Sequence, residues 1–307
     1  MDLRQLQSLV AIADHRTFSA AARALHTVQS NVSTHIARFE RELGATLVDR
    51  SAGKLTTEGE VVVARARRVI AELNALSADV ASITSEITGN AQLGTIGTTG
   101  RWLTPLLLDE MNERHPRVRI VVTEATTLSL LPLLFTDQID LAIVNLPQRD
   151  PDLEITLLFE EDLVAVIPCD HPLADSERPV SFTDLAKHEL LLGPRGSNLR
   201  GEVDLHATDA GATLTAAAEI DGVRLATTLA FQGYAPTITP MTAIPRWAEP
   251  SNWLMRPIAE EPRRFVGLAV RRRGMLSAPA TAAREVLESL VREHIEDEPG
   301  LHLPTER

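Results

Sequence analysis

The sequence of 307 residues contains a single cysteine, Cys169, and no long apolar run. One thiol excludes an intramolecular disulfide and any zinc site built from several cysteines. A membrane-spanning helix needs about 18 consecutive apolar residues, and no segment reaches that length. The N-terminus also lacks a basic leader followed by a long apolar core, so we predict no signal peptide and expect a cytoplasmic protein.

A net charge of −12 argues against a polyanionic partner for the chain as a whole, but the charge is unevenly distributed. Residues 1–70 hold ten Lys or Arg and seven Asp or Glu, a net +3, which leaves −15 on the remainder. This asymmetry indicates that only the N-terminal segment contacts nucleic acid, although +3 alone fits an ordinary surface equally well.

Three short helical patterns occupy the first 43 residues. In the first, apolar residues recur at helical spacing from Leu3 to Ala13. Thr17 or Ser19 can cap an alanine-rich second helix. The third runs from 28 to 43, and Gly44 suits its end. Its apolar stripe consists of Val32, Ile36, Phe39 and Leu43.

The other face of the third helix is polar and mostly uncharged in its first two turns. It carries Gln29, Ser30, Asn31, Ser33, Thr34 and His35. Base edges in the major groove require side chains that donate and accept hydrogen bonds, and phosphates accept from hydroxyls and helix N-termini. A merely solvated face usually favours Glu and Lys. We therefore predict that this helix enters the major groove, and we add Arg38 to the DNA-binding set.

A small hairpin is predicted after the third helix. Extended stretches at 46–49 and 54–57 flank the turn Ser51-Ala52-Gly53. Arg50 and Lys54 lie near its tip, where they can meet phosphate or the minor groove, or can be ordinary surface charges. Three helices followed by such a hairpin indicate a winged helix-turn-helix.

The stretch FSAAARALHTVQSNVSTHIARFERELGATLVDR…LTTEG strongly resembles the N-terminal domain of LysR-type transcriptional regulators. The resemblance implies that Gln29, Ser30, Asn31, Ser33 and Thr34 occupy DNA-contacting positions. The matching residues are Ala21-Ala22, Leu25-His26, Gln29, Ser33, Ile36, Glu40, Leu43-Gly44, Leu47, Arg50, Leu55-Thr56 and Gly59.

Three positions depart from the pattern of that family. The family usually has Ser at position 28, where this chain has Val28, and Pro at position 30, where it has Ser30. It often has Arg at position 34, where this chain has Thr34. Because valine cannot cap a helix, Thr27 is expected to cap the third helix one residue early. A missing Arg removes a bidentate guanine contact worth about 1–3 kcal/mol of discrimination, so operator preference is expected to differ.

A long helix is predicted from Glu58 to about Ile87, with apolar residues spaced alternately by four and three. Such a seam fits a partner helix better than packing on the chain's own domain, and the helix spans roughly 40–45 Å. We predict a homodimer, which the resemblance extends to a homotetramer. The dimerisation residues are Val62, Val69, Leu73, Leu76, Val80 and Ile83.

Strand and helix patterns alternate beyond residue 90, which indicates an α/β fold. They include a helix predicted from Leu103 to about Arg114 and strands predicted at Leu163–Pro168 and Phe265–Val270. The residues Leu103-Thr104-Pro105, Asp140–Val144 and Val164–Ala174 resemble the effector domain of the same family, which implies two Rossmann-like lobes similar to periplasmic solute-binding proteins. The predicted divisions are 1–58 for the mainly α-helical winged helix-turn-helix, 59–90 for the linker helix and a hinge at 85–90, 91–297 for the effector domain and 298–307 for a tail. Lobe I comprises 92–163 plus 266–297, and lobe II comprises 164–265.

Ligands bind beyond the carboxyl ends of strands in such domains, and polar residues gather there. Hydroxyls, amides, helix N-termini and two guanidinium groups suit a small carboxylate. The same residues also fit ordinary turn and N-cap chemistry. The predicted effector-binding residues are Thr98, Thr99, Gly100, Arg101, Thr126, Thr127, Asn145, Arg195, Ser197 and Asn198.

These patterns predict a ligand-responsive transcription factor that binds an inverted repeat. The expected partners are promoter DNA, a second copy of the chain and a small-molecule effector, with RNA polymerase as a further candidate and no membrane. No cofactor or metal is expected. The alternatives are a periplasmic-type binding module without DNA function and, less well supported, an enzyme. The family's peroxide sensors use two cysteines in the second lobe, so that mechanism cannot operate within one protomer here.

Overall fold

The computed structural model describes residues 1–49, 54–84, 87–246, 252–272 and 275–304, without the side chains of 74, 75 and 77–84. The predicted contact Arg50, the hairpin tip at 51–53 and the side chains of Val80 and Ile83 therefore lie outside the described residues. The first half of the predicted hinge, at 85–86, does so too.

The N-terminal domain is built from three helices and a two-stranded hairpin. The elements are α1 (Leu3–His15), α2 (Phe18–Ala24), α3 (Gln29–Leu43), β1 (Val48–Asp49) and β2 (Lys54–Leu55). The Asp2 carboxylate accepts from the Gln5 N–H and caps α1, and the Thr17 hydroxyl accepts from Ala20 N at 3.1 Å and caps α2. The apolar faces of the three helices meet in one buried cluster around Leu9, Ile36 and Phe39.

The long helix α4 (Thr57–Thr84) begins against this cluster. Gly59 is required there, because a Cβ atom would lie 2.0 Å from the Leu47 carbonyl oxygen. Val62 and the buried Ala66 pack against the N-terminal core, so this end of the predicted dimer seam is used within the chain. Farther along, Val69, Leu73 and Leu76 are exposed in the single chain, and their part in a dimer stays a prediction.

The remainder of the chain forms an α/β region whose described residues make three hydrophobic cores, the first in lobe I and the other two in lobe II. Its helices are α5 (Gly97–Arg114), α6 (Thr127–Phe135), α7 (Phe182–Leu185), α8 (Asn198–Asp209), α9 (Val223–Phe231) and α10 (Ala278–His294). Its strands are β3 (Gly89–Thr95), β4 (Val118–Glu124), β5 (Leu141–Leu146), β6 (Leu153–Pro168), β7 (Glu189–Leu192), β8 (Thr215–Glu219), β9 (Thr237–Pro240), β10 (Trp253–Pro257), β11 (Arg263–Arg271) and β12 (Leu301–His302).

Strand β6 joins the two lobes. The sheet order is β4-β3-β5-β11-β6-β9-β7-β8, with β10 and β12 also pairing with β6. The first part of β6 pairs antiparallel with β11 and belongs to lobe I, whereas its last residues pair with β9 and β10 in lobe II. Phe159 is buried in the first core and Leu163 in the second, so the change of lobe falls between them.

Several predicted boundaries are corrected by the structure. Gly89 and Asn90 belong to β3, where they pair with β4, and not to a hinge. Helix α5 begins at Gly97, six residues before the predicted start at Leu103, because Thr98 and Thr99 are buried in tertiary contacts that their turn-like sequence does not reveal. The predicted tail instead contributes β12, which pairs with β6 and buries Leu301.

Candidate functional site

The turn between α2 and α3 exposes the start of α3. Val28 is the N-cap residue of α3 and, within the described part of the chain, no side chain caps its backbone N–H groups. The expectation that Thr27 caps the helix is therefore wrong. Its hydroxyl accepts from Asn31 Nδ2 at 3.0 Å instead, and Thr27 orients a predicted contact residue.

The polar side chains of α3 lie on one accessible face. Gln29, Ser30, Asn31 and Thr34 are exposed and Ser33 is half-buried, opposite the buried stripe. Gln29 Oε1 accepts from the Ser19 hydroxyl at 2.8 Å, which leaves its amide N–H groups free to donate. The Asn31 amide donates to Thr27, which leaves its oxygen free to accept. Free donors and acceptors of this kind suit the edges of base pairs.

The positive charges of this surface differ in their engagement. Arg38 Nε donates to Glu42 Oε1 at 3.1 Å. The N-terminal amino group also pairs with Glu42, and its hydrogen bond lowers the pKa of that carboxyl. The Nη groups of Arg38 have no partner among the described residues, so they can bind a phosphate while Nε stays on Glu42. Lys54 on the hairpin is exposed, and no partner for it is found among the described residues.

A cavity of about 600 Å³ lies between the two lobes. The N-terminal ends of α5 and α6 border it from lobe I, and those of α8 and α9 from lobe II. Leu128, Leu199, Ile220 and other apolar side chains alternate with the polar groups in its wall. The cavity thus combines hydrocarbon surface with backbone donors, as small-molecule sites commonly do.

Four helices reach the cavity with their N-terminal ends, and like α3 they begin without a side-chain cap among the described residues. Their N-cap residues are Ile96, Thr126, Ser197 and Gly222, and among the described side chains none caps these helices. By contrast, side chains cap α1, α2, α7 and α10. The first N–H groups of a helix carry a partial positive charge, so four unfilled termini favour an anion between them.

Some charged side chains at the cavity form ion pairs with each other, and others do not. Arg195 is exposed and has no partner within the described ranges. Arg224 of lobe II pairs with Glu124 of lobe I, so this ion pair connects the lobes. Asp221 supplies an acidic acceptor beside them. Arg195 is thus the cation free to meet a ligand.

Arg264 forms part of the cavity wall from a fully buried position. Its Nε donates to Glu161 Oε2 at 2.7 Å, Nη1 to Asn145 Oδ1 at 3.1 Å, and Nη2 to Thr98 Oγ1 at 2.7 Å. The second oxygen of Glu161 accepts from the Thr242 N–H at 2.7 Å and from its hydroxyl at 2.6 Å. Thr98 and Asn145 belong to lobe I and Thr242 to lobe II, so the network links both lobes at the strands that cross between them.

The structure brings together seven of the ten residues predicted to bind an effector. Thr99, Gly100 and Arg101 are not among the described lining residues, because α5 has already begun and turns them away. Gly100 packs against Thr95, and Arg101 Nη1 donates to the Ala243 carbonyl at 3.0 Å. The lining residues are Thr98, Thr126, Thr127, Asn145, Arg195, Ser197 and Asn198.

Sequence reasoning missed Arg264, Arg224 and Glu124. Arg264 directly precedes a predicted strand, and from the sequence it resembles an ordinary surface arginine. The only available signal was the complementary charge of the segments Glu160–Asp162 and Arg263–Arg264, which pair in register. Nothing in the sequence separates that pairing from many others.

Cys169 is exposed and lies outside the described lining of the cavity. No group of three or more His, Cys, Asp or Glu side chains suited to a metal ion is present among the described residues. None of the described helices combines the length and hydropathy of a membrane span.

Comparison with known proteins gives consistent matches to both parts of the chain. The family model of the LysR substrate binding domain matches residues 84–292, and that of the bacterial regulatory helix-turn-helix protein, lysR family, matches residues 3–60. A probable hydrogen peroxide-inducible genes activator of Streptomyces viridosporus is 32% identical over 302 residues, which cover 97% of this chain and 95% of that protein.

Two OxyR proteins are also similar. The DNA-binding transcriptional dual regulator OxyR of Escherichia coli is 30% identical over 274 residues, which cover 88% of this chain and 90% of that protein. A solved structure of a full-length OxyR variant from Pseudomonas aeruginosa superposes with a TM-score of 0.75 at 27% identity, covering 95% of both chains.

Proposed function

This chain belongs to the LysR family of DNA-binding transcriptional regulators, and from that premise we propose that it responds to a small organic anion held between its lobes. The observation that carries the proposal is the convergence of four uncapped helix N-termini on one cavity beside the unpaired Arg195. A carboxylate there gains backbone N–H donors, helix dipoles and a guanidinium group together.

The cavity volume of about 600 Å³ suits a metabolite-sized molecule. Its apolar wall accommodates a hydrocarbon body, and Asp221 accepts from a hydroxyl or amino group. Several similar proteins are named as hydrogen peroxide-inducible activators. The single Cys169 is exposed and cannot form an intramolecular disulfide, so a peroxide-driven disulfide is not the proposed signal here.

For DNA, we propose that two copies present α3 to successive major grooves of an inverted repeat. The exposed Val69, Leu73 and Leu76 of α4 supply an apolar seam for the pairing. A two-fold dimer of helix-turn-helix units binds half-sites with matching symmetry. The free donor on Gln29 and the free acceptor on Asn31 are the proposed base-reading groups.

We expect anions to raise the melting temperature of the full-length chain, and Arg195→Ala to weaken the best of them about tenfold, because it removes the unpaired cation. The measurement is a thermal-shift panel of small carboxylates and inorganic phosphate, followed by calorimetric titration. Arg149→Ala removes an exposed arginine outside the cavity lining and is expected to change nothing. Equal losses in both variants, or no stabilisation by any anion, would contradict the effector proposal. Hydrogen peroxide is included in the panel as a control that is expected to leave the melting temperature unchanged.

Replacing Gln29 by alanine is expected to cost about 1–3 kcal/mol on the preferred duplex and to relax selectivity at one base pair. Lys54→Ala, which removes a phosphate contact, is expected to weaken all duplexes alike and to reduce the salt slope by about one. Fluorescence anisotropy on duplexes selected from a random pool, at several salt concentrations, separates the two effects. Full selectivity in the Gln29 variant would refute the assignment of α3 as the reading helix.

A further inference from the structure

Helix α6 extends from the cavity to the linker helix. At its start, Thr126 and Thr127 line the cavity. At its end, the Phe135 carbonyl accepts from Arg68 Nη2 of α4 at 3.0 Å. The nine residues of α6 cover about 13 Å, so one short rigid element touches both the proposed effector site and the helix that carries the DNA-binding domain.

The packing of α6 leaves it little freedom to deform. Leu130 and Leu134 are fully buried in the lobe I core. Strand β3 lies so close that a Cβ atom on Gly94 would be 2.8 Å from Leu130 Cδ2. The Thr127 hydroxyl accepts from Asn145 N at 3.0 Å, which fixes the start of the helix to β5. Because packed interiors are nearly incompressible, a displacement at one end of α6 reaches the other.

An ionic cluster reinforces the contact at the far end of α6. The buried carboxylate of Asp137 lies 3.5 Å from Arg68 Nε and also pairs with Arg271. Burial raises the pKa of Asp137, while the charges of Arg271 and Arg68 oppose that effect. Arg68 therefore makes two contacts with lobe I, one to a carbonyl and one to a carboxylate.

The residue before Arg68 contacts the other side of the molecule. Arg67 pairs with Asp14 of α1, and Val63 and Ala66 of the same helix are buried in the N-terminal core. Consecutive arginines on α4 thus bind the DNA-binding domain and the effector lobe. A change transmitted to Arg68 acts on a helix that is fixed to the DNA-binding domain.

We propose that Arg68 is the residue through which occupancy of the cleft changes DNA binding, with α6 as the rigid connection. This inference rests on the proposed anion site, because it assigns the route by which that site acts. The state of the α6 N-terminus biases the position of Phe135 and Asp137, and Arg68 passes the bias to α4. Coupling between two such sites is typically worth 5–150-fold in affinity.

The test uses a built-in anion in place of an unidentified effector. Thr126 is the exposed N-cap residue of α6, and Thr126→Asp places a carboxylate against its free N–H groups. Thr126→Asn is the neutral control of the same size. We expect Thr126→Asp to change the dissociation constant for a selected operator duplex about fivefold or more, and Thr126→Asn by much less. In an Arg68→Ala background the effect of Thr126→Asp is expected to fall below about twofold.

Arg65→Ala is the matched control on α4. Arg65 is exposed, carries the same charge near the DNA end, and has no partner within the described ranges. It should leave the response to Thr126→Asp intact. Melting temperatures verify folding, and hydrogen exchange of α4 gives a second readout that should respond to Thr126→Asp only when Arg68 is present.

An undiminished response in the Arg68→Ala background, by affinity and by exchange, would overturn the inference and leave the anion site standing. The absence of any response to Thr126→Asp in the otherwise native chain would also overturn it. The thermal-shift panel reads cleft binding without DNA, so it tells whether the anion site itself has failed.

Discussion

Glu161→Gln is expected to lower the free energy of unfolding by about 3–5 kcal/mol, because it leaves the charge of Arg264 buried without its counterion. Both side chains are almost completely inaccessible, and they lie opposite each other on β6 and β11. The remaining partners of Arg264, Thr98 and Asn145, are neutral. They satisfy hydrogen bonds but do not balance the charge. The measurement is urea unfolding at pH 7 with the slope compared between variants.

The same two strands provide the control one residue away. Glu160 binds Arg263 Nη1 at 3.1 Å, but the Arg263 side chain is 37% exposed to solvent. Water screens this pair, so Glu160→Gln is expected to cost less than about 1 kcal/mol. The two substitutions are chemically identical, but Arg263 is partly exposed and keeps Asp162 at 3.1 Å from its Nε, whereas Arg264 is buried and keeps only neutral hydrogen-bond partners. Equal losses of stability would show that the network around Arg264 is not a buried ion pair of the kind described.

The position of this pair also matters for function. Arg264 is bound to lobe I, and Glu161 is bound to Thr242 of lobe II. The network therefore resists separation of the lobes at the strands that cross between them, beside the cavity that we propose as the effector site. A ligand in the cleft changes the surroundings of groups that hold the lobes together.

The N-terminal domain was the part most accessible to sequence reasoning. Its helices depend on local signals, such as the hydroxyl of Thr17 at a helix start and Gly44, which ends α3 with a φ of +67°. The polar face of α3 is likewise a local pattern. The capping role predicted for Thr27 is wrong, because its hydroxyl binds the Asn31 side chain rather than the backbone. The spacing of apolar residues does not predict which of these partners the hydroxyl takes.

The α/β region was predictable in class but less so in detail. Alternating strands and helices indicated an α/β fold, and the family resemblance implied two lobes. Strand β6, however, was expected only from Leu163 and begins at Leu153. The middle of β6 contains Glu160, Glu161 and Asp162, three consecutive acidic residues that are more typical of a loop. These acidic residues are accommodated in a strand because Arg263 and Arg264 of β11 face Asp162 and Glu161 in register, and Arg263 also pairs with Glu160. Such compensation becomes visible only when segments 103 residues apart are paired.

The residues that line the cavity were likewise predictable only in part from the sequence. Seven predicted residues gather at the cavity because strand ends and helix starts converge in this topology. Thr99, Gly100 and Arg101 were assigned by sequence position alone, and the early start of α5 rotates them away. Whether a polar residue lines a cavity depends on the direction in which it leaves the helix axis. This direction changes by about 100° for each residue by which the start of the helix moves.

Glu202 is expected to lower the free energy of unfolding by up to about 1.4 kcal/mol for each unit by which the pH rises between 5 and 8. Glu202 lies on α8, and both of its carboxyl oxygens are buried without a hydrogen-bond partner among the described residues. Burial raises its pKa to about 8, an effect that the charge of Arg264 opposes and that of Glu161 adds to.

The sign follows from proton counts. In the unfolded chain this carboxyl loses its proton near pH 4.5, the ordinary pKa of a glutamate, whereas the folded protein keeps the proton until about pH 8. Between those values the folded state binds more protons than the unfolded state, so each increase in pH favours unfolding.

Glu202→Gln keeps the shape and the neutral form at every pH. It is expected to match the native chain near pH 5 and to exceed it in melting temperature by several degrees at about pH 8.5. Glu285→Gln on α10 replaces an exposed carboxylate and should leave the pH profile unchanged. The measurement is thermal unfolding from pH 5 to 9 at constant ionic strength. Parallel profiles for the native chain and Glu202→Gln would mean that Glu202 is ionised in the folded state. Its charge would then have to be balanced by Arg264, and Glu161 would no longer be the only counterion of that arginine.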